Sequence, residues 1–378
     1  MHRRLLFVVS IVALLSACET APPGGGYVGS FDAAGAGQDA SGGGAQDTAG
    51  GGGGAQDTAG GGGGTDTAGG GGGKPVAQID PACIDGTMTS EAPPTAGTSI
   101  ADLVAAYSAD DAYGFVLDVL DRRYPTGSFL VEQSVAKASQ NCFDLFLPQQ
   151  LRGNAAMVLD RLEVIVHECG HLYDWAMSDF GSSYYHIADG VTRSCPGAKH
   201  QGANKTVARS LLNNDAYSAL RPPCKSGKKG THGCDSYADI YLDGDPTDAK
   251  FESGDQGFAT LHEETVQYVH SLAVKMGMAD KIVGKTSARD GILTFLWYTM
   301  RYLHMVRLEY PDSYSVIASN ACWREAVLLT WGRAWHLIEA SKGNGGLGID
   351  DAKLFELVAE PALLDEIARL RAAHGCGG

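Results

Sequence analysis

Beyond residue 98 the apolar positions recur mostly with the period of a helix, at i, i+3, i+4 and i+7. Residues 154–177 carry the strongest pattern. Met157, Val158, Leu162, Ile165, Leu172 and Trp175 supply its apolar faces, and Asn154 stands where an N-cap belongs. The same spacing predicts helices over 258–276, 288–310 (stopped by Pro311), 320–341, and a pair over 350–373 on either side of Pro361. Residues 99–123 read as two short helices, with Ser99 and Asp102 as a capping pair for the first. Pro125 and Gly127 then break the pattern. Phe129-Leu130-Val131 and Phe143-Asp144-Leu145-Phe146-Leu147 are the strand candidates. Residues 179–256 are rich in Gly, Pro, Asp and Ser, with one helix expected near 205–213. The fold class this implies is predominantly α, with a small sheet (α+β) as the variant.

The N-terminal end has a different pattern. His2, Arg3 and Arg4 precede an almost wholly apolar run over 5–15. A run of about 11 residues is too short to cross a bilayer as a helix. It ends in Leu15-Ser16-Ala17-Cys18, which resembles a bacterial lipobox, whose Cys becomes the lipidated first residue of the mature protein. The resemblance implies a lipoprotein signal peptide over 1–18 and acyl chains on Cys18. Such a protein is held at the cell envelope, on the periplasmic face or the cell surface, by a lipid anchor in the membrane and not by a spanning helix. Residues 19–75 follow as a low-complexity segment in which Ala45-Gln46-Asp47-Thr48-Ala49 and its glycines recur from Ala55. It holds 24 of the 51 glycines and cannot bury enough apolar surface to offset its ordering entropy. It therefore reads as a disordered Gly-rich tether with a reach of roughly 40 Å. Residues 76–378 remain as the folded domain.

Charge and cysteine content narrow the function classes. The net charge is −15 and no basic stripe stands out, which argues against a nucleic-acid partner. The lysines between 225 and 229 read as a solvated loop. Of the nine cysteines, all but Cys18 fall in the domain, and an even remainder in an exported protein points to disulfides. Cys224–Cys234, across a Gly/Lys-rich loop, is the simplest pair to expect; the other pairings stay open. No C-x₂-C pair supports a four-cysteine zinc site.

The candidate chemistry lies in the middle of the strongest helix. His167-Glu168-Cys169-Gly170-His171 is an H-E-x-x-H motif. Residues i and i+4 of a helix are neighbours, so His167 and His171 can ligate one Zn²⁺. Glu168 is placed to reach a zinc-activated water as general base without being a ligand. The metzincin continuation fails, because Asp174 and Met177 stand where Gly and His are required. A third ligand must then come from a later helix, where Glu263 and Glu264 compete. With Leu261 at 0°, Glu264 falls at about −60°, on the edge of the apolar face, and Glu263 points nearly opposite. An inward-facing ligand selects Glu264. Asp174 lies on the stripe of both histidines and can orient a ligand, cap, or be solvated. Cys169 faces away from the metal and suits a disulfide or a buried thiol.

This combination resembles the gluzincin zinc metallopeptidases, which use H-E-x-x-H with a downstream helical Glu. Val166, Gly170 and Asp174 are similar to the H-E-x-G-H-x-x-D variant of the motif, whereas the N-E-x-x-x-D form of the second motif is absent. The resemblance implies a zincin-like catalytic domain that hydrolyses a peptide or protein substrate with Zn²⁺ on His167, His171 and Glu264. It also implies an oxyanion donor, for which Tyr237, Tyr241, Tyr268 and His270 all remain open. A zinc-binding lipoprotein that acts as a binding or structural protein is the alternative.

Overall fold

Local signals set where the helices begin. The computed structural model describes residues 78–197, 206–213, 235, 237–242 and 256–376. Asp111, Asn141, Asn154 and Asn320 each accept a hydrogen bond from a backbone N–H of the turn that follows. Pro125, Pro311 and Pro361 each occupy a first helical turn, where no N–H is needed. The described helices are α1 (Ala101–Ala106), α2 (Ala112–Arg123), α3 (Pro125–Lys137), α4 (Cys142–Phe146) and α5 (Ala155–Met177), then α6 (Ala238–Tyr241), α7 (Phe258–Gly277) and α8 (Ala288–Glu309). They continue with α9 (Pro311–Ala318), α10 (Ala321–Ser341), α11 (Asp351–Val358) and α12 (Pro361–His374). One antiparallel hairpin, β1 (Ser182–Ala188) with β2 (Val191–Pro196), is the only sheet among the described residues. The domain is thus predominantly α with a small sheet.

The strand expectations were misplaced. Phe129–Val131 lies inside α3 and Phe143–Phe146 inside α4. Pro125 does not break structure there; it starts a helix whose apolar residues then pack on α5. Pro311 likewise ends α8 and immediately opens α9. The real strands fall in the stretch read as irregular. Their signal is Asp189-Gly190, a two-residue turn between the paired Ala188 and Val191, with Gly190 at φ 66°. The capping pair at α1 also differs: Ser99 Oγ accepts from Ala101 N at 3.2 Å, but Asp102 turns outward to Arg122 at 2.6 Å.

The core forms around α7. It packs against α5, α8, α10 and β1, and every residue of it is buried except Glu264 and Tyr268. A helix buried over nearly its whole circumference belongs inside a bundle. α8 is the same kind of helix, buried from Ala288 to Val306. Trp297, Trp323, Trp331 and Trp335 fill the space between α8, α10 and their neighbours. Three disulfides staple the periphery: Cys83–Cys376, Cys142–Cys169 and Cys195–Cys322. The first joins the two ends of the described domain. The expected Cys224–Cys234 pair, like Cys18 and the tether, lies outside the described residues.

Candidate metal centre

α5 and α7 run antiparallel, and the contacts between them show it. Glu163 meets Lys275 at 3.1 Å, His167 Nδ1 meets Ser271 Oγ at 2.9 Å, and Asp174 Oδ2 accepts from Gln267 Nε2 at 3.1 Å. Glu263, Gln267, Ser271 and Lys275 are spaced four apart, so they form one polar stripe along the helix. That stripe faces the motif helix. Burial of polar groups costs free energy unless they are paired, and here the pairs lock the two helices in one register.

The register brings His167, His171 and Glu264 together, with one ligand atom of each within 4.8 Å of the others. His167 Nε2 and His171 Nε2 are 3.0 Å apart. Glu264 Oε2 stands 3.4 Å from His171 Nε2 and 3.8 Å from His167 Nε2. At ordinary zinc bond lengths, two ligands of a tetrahedral site lie about 3.3 Å apart, and the three separations bracket that value. Glu264 Oε2 is also a buried oxygen with no hydrogen-bond partner among the described residues, and it faces the two imidazoles. The donor set and the orphaned oxygen fit a divalent cation.

The ring nitrogens on the far side are held by the protein. His167 Nδ1 contacts Ser271. His171 Nδ1 lies 2.6 Å from both carboxylate oxygens of Glu263. This overturns the expectation that Glu263 points away from the site. Helical angle does set Glu263 apart from Glu264, but the side away from Leu261 is the polar stripe that packs on α5, so the carboxylate meets His171 instead of solvent. Gln267 Nε2 bonds both Asp174 Oδ2 and, at 3.4 Å, Glu263 Oε1. Asp174 Oδ1 accepts from the backbone N–H of His186, so the hairpin is tied into the same network. Asp174 therefore holds Gln267 and β1. Gly170 leaves room for this: a Cβ there would stand 1.9 Å from Gln267 Oε1. Sequence reasoning missed Glu263, Gln267 and Ser271 as supports; the four-residue polar spacing on α7 is the signal that marks them.

Electrostatics follow from this crowding. Burial lowers His171, but Glu263 and Glu264 outweigh it and raise its pKa well above the ordinary value. His167 is pushed well below its ordinary value by burial and by its neighbour His171. Burial raises Glu168 to about 7; His171 opposes the shift, and Glu264 and Glu263 add to it. Partial exposure is retained by Glu168, His171, Glu264 and Tyr268, which mark the open side of the cluster.

The four candidate donors separate. His270 is committed elsewhere: its Nε2 donates to His186 O at 2.8 Å, and its Nδ1 accepts from Tyr124 OH at 2.5 Å and Arg333 at 3.2 Å. Tyr268 lies edge-on to the His167 ring, with centroids 4.9 Å apart, and its hydroxyl is 3.0 Å from that of Tyr241. Burial, followed by the charge of Glu264, raises Tyr241, and Glu168 adds to this, so its phenol stays protonated. Tyr237 packs against both rings. Cys169, on the rear of α5, is in the disulfide to Cys142 of α4. Met177, one of the two positions that exclude a metzincin, is partly exposed. The chain matches no known family model, no curated protein and no solved structure.

Proposed function

We propose that the domain is a zinc-dependent metallopeptidase, with His167, His171 and Glu264 as metal ligands and Glu168 as the catalytic general base. The observation that carries this is the convergence of two imidazoles and one carboxylate from two helices on one point, with the Glu168 carboxylate beside His167 and a buried Glu264 oxygen left without a hydrogen bond among the described residues. Two imidazoles and one carboxylate at these separations suit Zn²⁺ among the common cations, as in a three-ligand catalytic site. When bound, such an ion supplies Lewis acidity that polarises a carbonyl and acidifies water. Glu168, with a pKa lifted to about 7, can take a proton from the attacking water and return it to the leaving amine. The paired hydroxyls of Tyr241 and Tyr268 share one hydrogen bond, which leaves an O–H to donate to a developing oxyanion. This is the gluzincin-like arrangement on a zincin-like scaffold. The lipobox-like end at Cys18 would hold it at the cell envelope, where peptide or protein substrates are met.

Metal content and one substitution test the reading. Purified protein is expected to carry about one equivalent of zinc, and Glu168→Gln is expected to keep the metal and lose hydrolysis of a peptide library by at least about a hundredfold. Wild-type protein with far less than half an equivalent after zinc loading would remove the metal-centre reading. Zinc at full occupancy with no cleavage would leave the non-catalytic binding protein in its place.

A further inference from the structure

The two histidines of the cluster are backed by different chemistry, a hydroxyl for His167 and a carboxylate for His171. An ionised carboxylate only accepts, so Glu263 requires a proton on His171 Nδ1 and leaves Nε2 to face the cluster. Glu263 is itself 6% exposed and is gripped by Gln267, which is wedged over Gly170 and tied to Asp174. Every part of this support comes from a buried side chain, so none of it can relax into solvent.

We infer that Glu263 is a positioning residue, one that fixes the tautomer and ring orientation of His171 from behind and so sets the affinity of the centre for its cation. It shares the cluster with Glu264, its chain neighbour, but the two carboxylates have divided the work. Glu264 presents an unpartnered oxygen to the ligand point, while both oxygens of Glu263 are turned to the far nitrogen. Consecutive helical residues project about 100° apart, so the two carboxylates leave α7 in different directions. The inference rests on the metal-centre reading and adds to it the source of the affinity. Support of a ligand imidazole by a carboxylate of this kind contributes about 10- to 100-fold in metal affinity.

The test uses the full chain, stripped of metal, with zinc affinity measured by competition against a chromophoric chelator and folding of each metal-free form checked by near-ultraviolet circular dichroism. Glu263→Gln keeps the shape and removes the charge, and it is expected to weaken zinc binding about 10- to 100-fold. Glu263→Asp restores the charge and is expected to recover part of that loss. Asp351→Asn breaks the ion pair to the buried Arg289, away from the α5–α7 interface, and is the structural control, expected to stay within about threefold of wild type. Glu263→Gln within about threefold of wild type, or an equal loss in Asp351→Asn, overturns the positioning role while leaving the centre itself intact. Failure of the wild type to bind zinc at all would instead overturn the parent reading.

Discussion

Gly170→Ala should be a destabilising substitution although it improves the helix. In the interior of α5, alanine in place of glycine would by itself stabilise the helix by about 1 kcal/mol. The new Cβ would stand 1.9 Å from Gln267 Oε1 and 2.8 Å from its Cδ, so the amide must leave. Gln267 is fully buried and has no solvent to turn into. Leaving costs its hydrogen bonds to the Asp174 and Glu263 carboxylates, about 1.5 kcal/mol each when a charged partner is involved. The two losses outweigh the helix gain, and the net is about 2 kcal/mol of destabilisation in the metal-free protein. Because Glu263 then loses its brace, zinc affinity should also fall by about tenfold. Urea unfolding of four proteins checks this: wild type, Gly170→Ala, Gln267→Ala and the double variant, as a double-mutant cycle. In the Gln267→Ala background the obstruction is gone, and Gly170→Ala should turn stabilising by about 0.5–1 kcal/mol. If the substitution destabilises equally in both backgrounds, the close approach of Gln267 is not the reason for the glycine, and the argument fails.

Other outcomes follow from the same structure. Burial, with Arg333 adding and Asp189 opposing, lowers His186 to about 4, so the unfolded chain takes up a proton first as pH falls. Stability should therefore be full above about pH 6.5 and drop by about 3 kcal/mol on the way down to pH 4 from this group alone. Among the described residues neither ring nitrogen of His186 has a hydrogen-bond partner, and the ring stacks on Phe129 at 4.9 Å. His186→Phe should therefore remove that share of the acid loss in denaturant melts at stepped pH. Glu91 pairs bidentately with the fully buried Arg333 at 2.7 Å, and Glu91→Ala should cost about 3–5 kcal/mol by stranding that charge, with zinc affinity unchanged. Replacing Cys83 and Cys376 by Ser opens a link across 293 positions, and should lower unfolding stability by roughly 2–5 kcal/mol without altering zinc stoichiometry.

Much of the helical framework was legible because periodicity and capping are local. Asn154 starts α5, and the expected and observed ends of α7, α8 and α10 agree closely. The strands were not legible by the same route. Phe129–Val131 and Phe143–Leu147 have strand-forming residues, but Pro125 and Asn141 open helices just before them, and packing on α5 decides the matter. The hairpin was hidden in a polar stretch, where Asp189-Gly190 was the one local cue.

At the site the division is similar. The sequence alone determined that His167 and His171 share a face and that Glu168 sits beside them, because four residues make about one helical turn. The choice of Glu264 over Glu263 also came from helical angle, and Glu264 is the carboxylate that joins the two histidines. What only the tertiary structure decided is what surrounds those atoms. It turned Glu263 inward to His171, wedged Gln267 over Gly170, withdrew His270 into the Tyr124–Arg333 network, and joined Cys169 to Cys142. The physical reason is that periodicity specifies a direction from one helix axis, whereas a partner is specified by the other helices. In a helix buried over nearly all of its surface, almost every direction ends at a neighbour, and the sequence of α7 does not say which.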